Sequence, residues 1–385
     1  MPTFSRYSLF LLLFSSIALI GLGLVMLAST SPWAEPEHMA YSHVKKQMFF
    51  LGIGLIGALI SAKVPLHLFE RFYWFWLLCA CAVLSLCYVP GIQVTVNGAS
   101  RWIKMPLLGQ FQPSEPAKIA CIVMMAGWMT KHQLKAGSFW KGFVFPLTIL
   151  AVPSLLVFCE TDMGTTAVIV GSGFLLLYTA GSRPFLLVGA IVLALVGLYF
   201  VVTLGLDGGN RAARLLAFQD LESTKLGYGL QQWRSLLAFA SGGVQGVGLG
   251  NGAEKHGYLP FAHTDFIYPI IGEELGLVAT LGVILAFVLI AIAGILIASR
   301  SKSHFAALMA VGLTANLVIP AAMNIAVTTA MLPNTGLPLP FVSYGGSNLI
   351  FAMVSVGLLV NIYFGSPNDA NKTVTTRIEK RIMRV

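Results

Sequence analysis

The chain has 385 residues, of which 57% are hydrophobic and 10% charged. A protein this apolar cannot cover a water-facing surface, so the composition excludes a soluble enzyme and calls for lipid as solvent. Its net charge of +9 then raises a question of sidedness in a bilayer and gives no reason to expect nucleic acid as a partner. The five cysteines, Cys79, Cys81, Cys87, Cys121 and Cys159, lie in apolar runs without a CxxC pair, which argues against a disulfide framework or a zinc site.

In chain order, apolar runs long enough to span fall at roughly 8–28, 47–63, 72–90, 114–131, 142–159, 163–181, 184–205, 266–299, 304–330 and 341–364, which predicts about ten transmembrane helices. The first run follows Arg6 and is about 21 residues long, beyond the apolar core of a signal peptide. Only Glu160, Thr161 and Asp162 divide the fifth run from the sixth. The expected fold is an all-α integral membrane protein forming one polytopic domain over 1–365. A basic cytoplasmic tail, 366–385, follows it.

Basic residues set the orientation. With the N-terminus inside, the cytoplasmic loops carry Lys63, Arg71, Lys131, Lys135, Lys141, Arg183, Arg300 and Lys302, and the tail adds Lys372, Arg377, Lys380, Arg381 and Arg384. Glu70, Asp369 and Glu379 are the inner acids; the other acidic residues lie on the outer side or near outer helix ends. Both termini are therefore expected in the cytoplasm.

Two outer segments are more than turns. Residues 91–113 include GASRWIKMPLLGQFQPSEP, and residues 206–264, between helices seven and eight, form the largest loop. Long loops are commonly functional. Within the second, Leu230, Trp233, Leu236, Leu237 and Ala240 recur at helical spacing, fitting a helix lying in the membrane interface or packed on outer helix ends.

Five motifs carry polar chemistry. FAHTDFIYPIIGEELG, 261–276, places Asp265, Glu273 and Glu274 at one end of an apolar run. Asp265 can cap the helix, but clustered, part-buried acids raise one another's pKa, and a carboxylate so tuned can take a proton from a hydroxyl. His263 stands beside it as a hydrogen-bond partner or a solvated group. In PSEPAK, 113–118, Glu115 and Lys118 share a helix face and can pair, or Lys118 can meet an anionic headgroup. In ETDMGT, 160–165, Asp162 caps a helix, holds a cation or lines a cavity. Arg211, Arg214, Lys225, Arg234 and Lys255 give the large loop cationic donors suited to phosphate oxygens, and GGVQGVGLGNG, 242–252, permits close backbone approach. LPNTGLPLPFVSYGGSNL, 332–349, predicts irregular backbone lined by protein or a watery cavity, with Ser343, Tyr344 and Ser347 as polar groups.

Together, GASRWI, QPSEPAK, D-x-G-T at 162–165, GYG…GVGLGN, AHTDFIYPIIGEELG and LPFVSYGGS resemble the SEDS family of shape, elongation, division and sporulation proteins, the division branch more than the elongation branch. The resemblance covers nearly the whole chain. It implies a peptidoglycan glycosyltransferase that polymerises lipid II into glycan strands on the outer face of the bacterial cytoplasmic membrane, with the septal polymerase of division as the expected member. It assigns Asp265 the essential outer-loop aspartate, and Arg101, Glu115, Lys118, Asp162 and Ser343 the polar positions of the cavity. Two departures stand out: Glu160-Thr161 where the family usually has Gln-Pro, and Thr335 where some members carry lysine.

On that resemblance, Asp265 is the expected general base for a sugar hydroxyl. Arg101, Lys118, Arg211, Arg214 and Arg234 are candidates to stabilise the departing pyrophosphate, with a divalent cation (Mg or Mn) on Asp265 and no organic cofactor. Expected partners are lipid II, the growing glycan strand, a class B penicillin-binding protein and other divisome membrane proteins. The rival readings are a lipid II flippase, the elongation-type polymerase, and a scaffold for a transpeptidase.

Overall fold

The computed structural model describes residues 3–34, 41–96, 99–105, 109–204 and 210–365. The tail expected at 366–385 lies outside the described residues. A helix occupies each of the ten apolar runs: α1 (Thr3–Ala34), α2 (Ser42–Ser61), α4 (Tyr73–Ser85), α5 (Ser114–Lys131), α6 (Phe145–Cys159), α7 (Met163–Thr179), α8 (Pro184–Thr203), α11 (Ile267–Ser299), α12 (His304–Thr328) and α13 (Gly346–Phe364). Short helices α3 (Leu66–Arg71), α9 (Asn210–Gln219) and α10 (Leu230–Gly242) connect them. Among the described residues, six helical stretches are long and apolar enough to cross a membrane, and Tyr73–Tyr88, Met163–Thr179 and Pro184–Gly197 are shorter apolar helices. The chain is a multi-pass membrane protein.

The bundle is built around α5 and α12, whose residues are mostly buried. Leu12, Met124, Phe266 and Phe305 are among its fully enclosed side chains. Its outside is as greasy as its core. On α8, Leu193 and Tyr199 are 73% and 65% exposed, an arrangement stable only where lipid replaces water.

The outer segment after α4 adds a small sheet to the helical bundle. Residues Gln93–Val96 (β1), Ala99–Met105 (β2) and Gly109–Phe111 (β3) form an antiparallel sheet in the order β1-β2-β3. The register pairs Val94 with Trp102 and Thr95 with Ser100, so Arg101 is the extra residue of a β-bulge. Bulges redirect a side chain out of the regular alternation, and this one frees Arg101 to leave the sheet.

Helix α10 resolves the two readings of the large loop. It packs on α11 and α12 through its small and polar face, burying Gln232, Ser235, Ala238 and Gly242. The last carbonyls of α12 lack intrahelical donors. Gln232 Nε2 supplies one to Val327 O at 2.9 Å, and the Ser235 hydroxyl one to Thr328 O at 2.5 Å. The apolar residues Leu236 and Leu237 face outward.

Helix α11 breaks at Gly276, where φ is +76° and ψ −172°. The break exposes the Glu273 and Glu274 carbonyls, and the glycine-rich segment wraps around to meet them: Val247 N donates to Glu273 O at 2.9 Å and Gly248 N to Glu274 O at 3.0 Å. A Cβ on Gly276 would lie 2.4 Å from Val244 O, so contact and dihedral both demand glycine.

Candidate active site

The residues ahead of α11 belong to no helix or sheet, so their backbone groups need other partners. Three successive carbonyls find them. Tyr344 N donates to His263 O at 3.0 Å, the Ser343 hydroxyl to Thr264 O at 2.6 Å, and Asn324 Nδ2 to Asp265 O at 2.7 Å. Asn324 Nδ2 also donates to Leu337 O at 2.7 Å, and Leu339 N donates to the Ser343 oxygen at 2.8 Å. The segment carrying Asp265 and the proline-rich segment are thus tied to each other and to α12.

The carboxylate itself faces away from these clamps. Its Oδ2 lies beside Gly336, where a Cβ would come 3.4 Å from that oxygen and 4.0 Å from Arg101 Nη1. Gly336 has φ +70°, so glycine both supplies the turn and leaves the space open. Arg101, aimed by its bulge, donates through Nη2 to Thr161 O at 2.5 Å. Thr161 is itself left-handed, with φ +60°. Asp162 caps α7, accepting from Thr165 N at 3.0 Å and from the Thr165 hydroxyl at 2.8 Å. Gln112 Nε2 reaches it at 3.4 Å.

Desolvation pushes the Asp265 carboxyl up to about 7, against the pull of Arg101; Asp162 raises it further and Arg214 lowers it. A carboxyl poised near neutral pH suits proton abstraction. Burial, and then Asp162, likewise raises Glu160 to about 8, eased by Cys87 and Arg101.

The acid cluster read from the sequence is corrected. Asp162 is the carboxylate that couples to Asp265, whereas Glu273 and Glu274 staple the broken helix to the large loop. Glu274 pairs with Lys255 at 2.6 Å, both side chains being almost fully enclosed, and accepts from Ser29 at 2.8 Å and from Gly250 N at 3.0 Å. Glu273 accepts from Ala253 N at 2.7 Å. The spacing put all three acids at one end; two turns of helix and the donors of the glycine loop separate their roles.

Other expected site residues divide between the site and its frame. Arg101, Asp162 and Arg214 act electrostatically on Asp265. Ser343 is buried with its hydroxyl bonded as donor and as acceptor, so it holds backbone in place of substrate. Glu115 and Lys118 form a buried pair at 2.9 Å, with Asn348 Nδ2 3.4 Å from Glu115; substrate contact by either requires that pair to open. Arg234 pairs with Glu254 at 3.4 Å and lies over Tyr258, away from the Asp265 group. The side chain of Arg211 lies outside the described ones. His263 turns its ring towards His43 and Tyr344, with centroids 4.8 and 6.1 Å away.

Sequence reasoning missed Asn324, Gln112 and Gly336. An asparagine inside an apolar helix is the signal that would have exposed the first, because polar side chains at membrane depth need a partner. Among the described residues, no three His, Cys, Asp or Glu side chains gather to hold a metal unaided. The open flank of Asp265 over Gly336 does fit a divalent cation sharing one carboxylate with phosphate oxygens, the usual manner of Mg²⁺.

Comparison with known proteins follows this geometry. Residues 9–366 match the family of cell cycle proteins represented by FtsW, RodA and SpoVE. The chain is similar to the probable peptidoglycan glycosyltransferase FtsW of Geobacter metallireducens, at 36% identity over 359 residues covering 93% of this chain and 94% of that one. It is equally similar to the FtsW of Pseudomonas fluorescens, at 36% over 365 residues, 93% of this chain and 88% of that one. Among solved structures it superposes on a chain from a peptidoglycan synthase complex that coordinates polymerization and crosslinking, with TM-score 0.77, 26% identity and coverage of 92% and 96%. It shares the fold of the Thermus thermophilus rod shape determining protein RodA, with TM-score 0.66, 23% identity and coverage of 92% and 95%.

Proposed function

The chain belongs to the FtsW, RodA and SpoVE family of cell cycle proteins, and from that membership and the geometry around Asp265 we propose that it polymerises lipid II into glycan strands for septal wall synthesis. It is a peptidoglycan glycosyltransferase of the division type, working at the outer face of the bacterial cytoplasmic membrane with both termini inside. The observation that carries the mechanism is a clamped backbone at Asp265 whose carboxylate borders, with Arg101, the gap at Gly336; Asp162 and Arg214 act on the same carboxylate electrostatically.

The acceptor sugar's 4-hydroxyl attacks the anomeric carbon of a lipid-linked muramyl pyrophosphate. The new C–O bond forms as the bond to the pyrophosphate oxygen breaks, and the hydroxyl proton passes to Asp265. A single displacement inverts the anomeric centre, so an α-linked donor gives a β-linked glycan. The leaving pyrophosphate needs charge stabilisation more than a proton, and Arg101 and Arg214 are the cations nearest in effect to Asp265. A divalent cation, held by Asp265 and substrate phosphates, would supply further neutralisation. The family's solved synthase complex supports a class B penicillin-binding protein as the activating partner, with other divisome membrane proteins around it.

The test is polymerisation of purified lipid II by the protein with its transpeptidase partner. Asp265→Asn should insert and fold normally yet make no polymer, and EDTA should suppress the wild type. Full polymerase activity of Asp265→Asn defeats the base assignment. Wild-type protein that moves lipid II between leaflets without polymerising it is a transporter instead.

A further inference from the structure

At Thr161, whose carbonyl Arg101 holds, lies a cavity of about 220 Å³ lined by Cys87, Tyr88, Gln93, Ser100, Cys159, Glu160 and Thr161. Nothing in the glycosyl transfer uses it. Its distinctive wall is Glu160, only 3% exposed, whose two carboxylate oxygens are both buried and lack a hydrogen-bond partner. The nearby Cys87 thiol is at best a weak donor. A buried carboxyl left unsatisfied is costly, and such groups in native proteins generally await a ligand or carry a role.

The neighbouring groups do not satisfy it. Arg101 spends Nη2 on Thr161 O and faces Asp265 through Nη1. Tyr88 commits its hydroxyl proton to Leu156 O. Once ionised by a cation beside it, Glu160 offers two acceptor oxygens, and the lining adds the neutral polar groups of Gln93 and Ser100 and the side chain of Tyr88. That is the set that recognises an alkylammonium: acceptors for N–H donors, and a π-face for the cation. An organic cation suits this lining.

We propose that the cavity walled by Glu160, Tyr88, Gln93 and Ser100 is a subsite for the free side-chain amine of the substrate's peptide, selecting amine-bearing lipid-linked precursors over capped ones. This rests on the polymerase reading above. Arg101 joins the two sites, since its Nη2 bonds Thr161 O of the cavity wall and its Nη1 borders the gap at Gly336 that Asp265 Oδ2 also borders.

The experiment compares three synthetic lipid-linked disaccharide peptides whose lysine amine is free, N-acetylated or N,N-dimethylated, with wild type and Glu160→Gln in the presence of the transpeptidase partner. The wild type should prefer the free and the dimethylated amine, both cationic, over the acetylated one by about tenfold in kcat/KM. Glu160→Gln should polymerise all three at one rate, close to that of wild type on the acetylated substrate. Equal wild-type rates on the three substrates overturn the subsite, as does a Glu160→Gln protein that keeps the preference or is silent on all of them. Absence of polymer from wild type on every substrate instead defeats the polymerase reading itself, so the two failures are distinguishable.

Discussion

Replacing Arg101 by glutamine should move the acid limb of the pH–rate profile without touching the base. Arg101 and Asp265 both border the empty Cβ position of Gly336, at 4.0 and 3.4 Å, so Nη1 and Oδ2 lie no more than about 7 Å apart. At an effective dielectric of about 20 that limit corresponds to about 2 kcal/mol, or a little under 2 pH units. Asp265 is half-buried, and solvent screening reduces the working figure to about one unit. Desolvation holds the wild-type carboxyl near 7, so kcat/KM should rise through that value, and in Arg101→Gln the rise should shift to about 8. The sign follows from the base requirement: only ionised Asp265 accepts the proton, and loss of a neighbouring cation disfavours the ionised form. The same raised pKa means that the fold binds this proton more tightly than the unfolded chain does, so Asp265 costs stability as pH climbs from about 4 towards 7. The assay is initial-rate polymerisation of lipid II from pH 6 to 9.5 with the partner present. An acid limb that stays near 7, with activity reduced equally at every pH, would refute the coupling and leave Arg101 as a phosphate ligand alone.

Two further substitutions test the frame. Lys255→Met strips the enclosed partner from Glu274, an event that costs about 3–5 kcal/mol for buried pairs; the bonds from Ser29 and Gly250 N place the loss at the lower end, read as a drop in unfolding temperature in detergent. Pairing it with Glu274→Gln should restore part of that loss. Gly276→Ala meets Val244 O at 2.4 Å in a backbone region reserved for glycine and should lose at least about 2 kcal/mol; an alanine variant that melts with wild type would show that the break in α11 is not as described.

The spanning helices were legible because lipid imposes a plain rule of length and apolarity, and each apolar run became a helix. The sheet was legible in principle. Gln-Val-Thr-Val and Ala-Ser-Arg-Trp-Ile-Lys-Met flank Asn97-Gly98, the strongest short hairpin signal, yet the apolar context drew attention to helices. The bulge at Arg101 was not legible, since register depends on which residues of β1 find partners. Nor was the divergence of Asp265 from Glu273 and Glu274. Residues 267–275 are intact helix, so two turns, about 12 Å of rise, part Glu273 and Glu274 from Asp265, and donors from a loop elsewhere in the chain then claim both carboxylates. Carboxylates at one membrane end announce importance, but which one is free and which are spent on structure depends on donors from elsewhere in the chain.

That division also bears on the choice between polymerase and transporter. A transporter must present its polar site to each side of the bilayer in turn. Here the backbone carrying Asp265 is bonded at three consecutive carbonyls to Tyr344, Ser343 and Asn324. The Tyr344 segment is in turn held to α2, where Gln47 donates to Ser343 O at 3.2 Å and accepts from Gly345 N at 3.3 Å. Reorienting Asp265 towards the other face would break these bonds together. Each contributes about 0.5–1.5 kcal/mol when made and more when a buried group is left unsatisfied. Among the described residues, the clamps leave the carboxylate unbonded, over the gap at Gly336. A site with an immobilised backbone and an uncommitted reactive oxygen is preorganised for one chemical step at one face, which is what glycosyl transfer asks of it and alternating access does not.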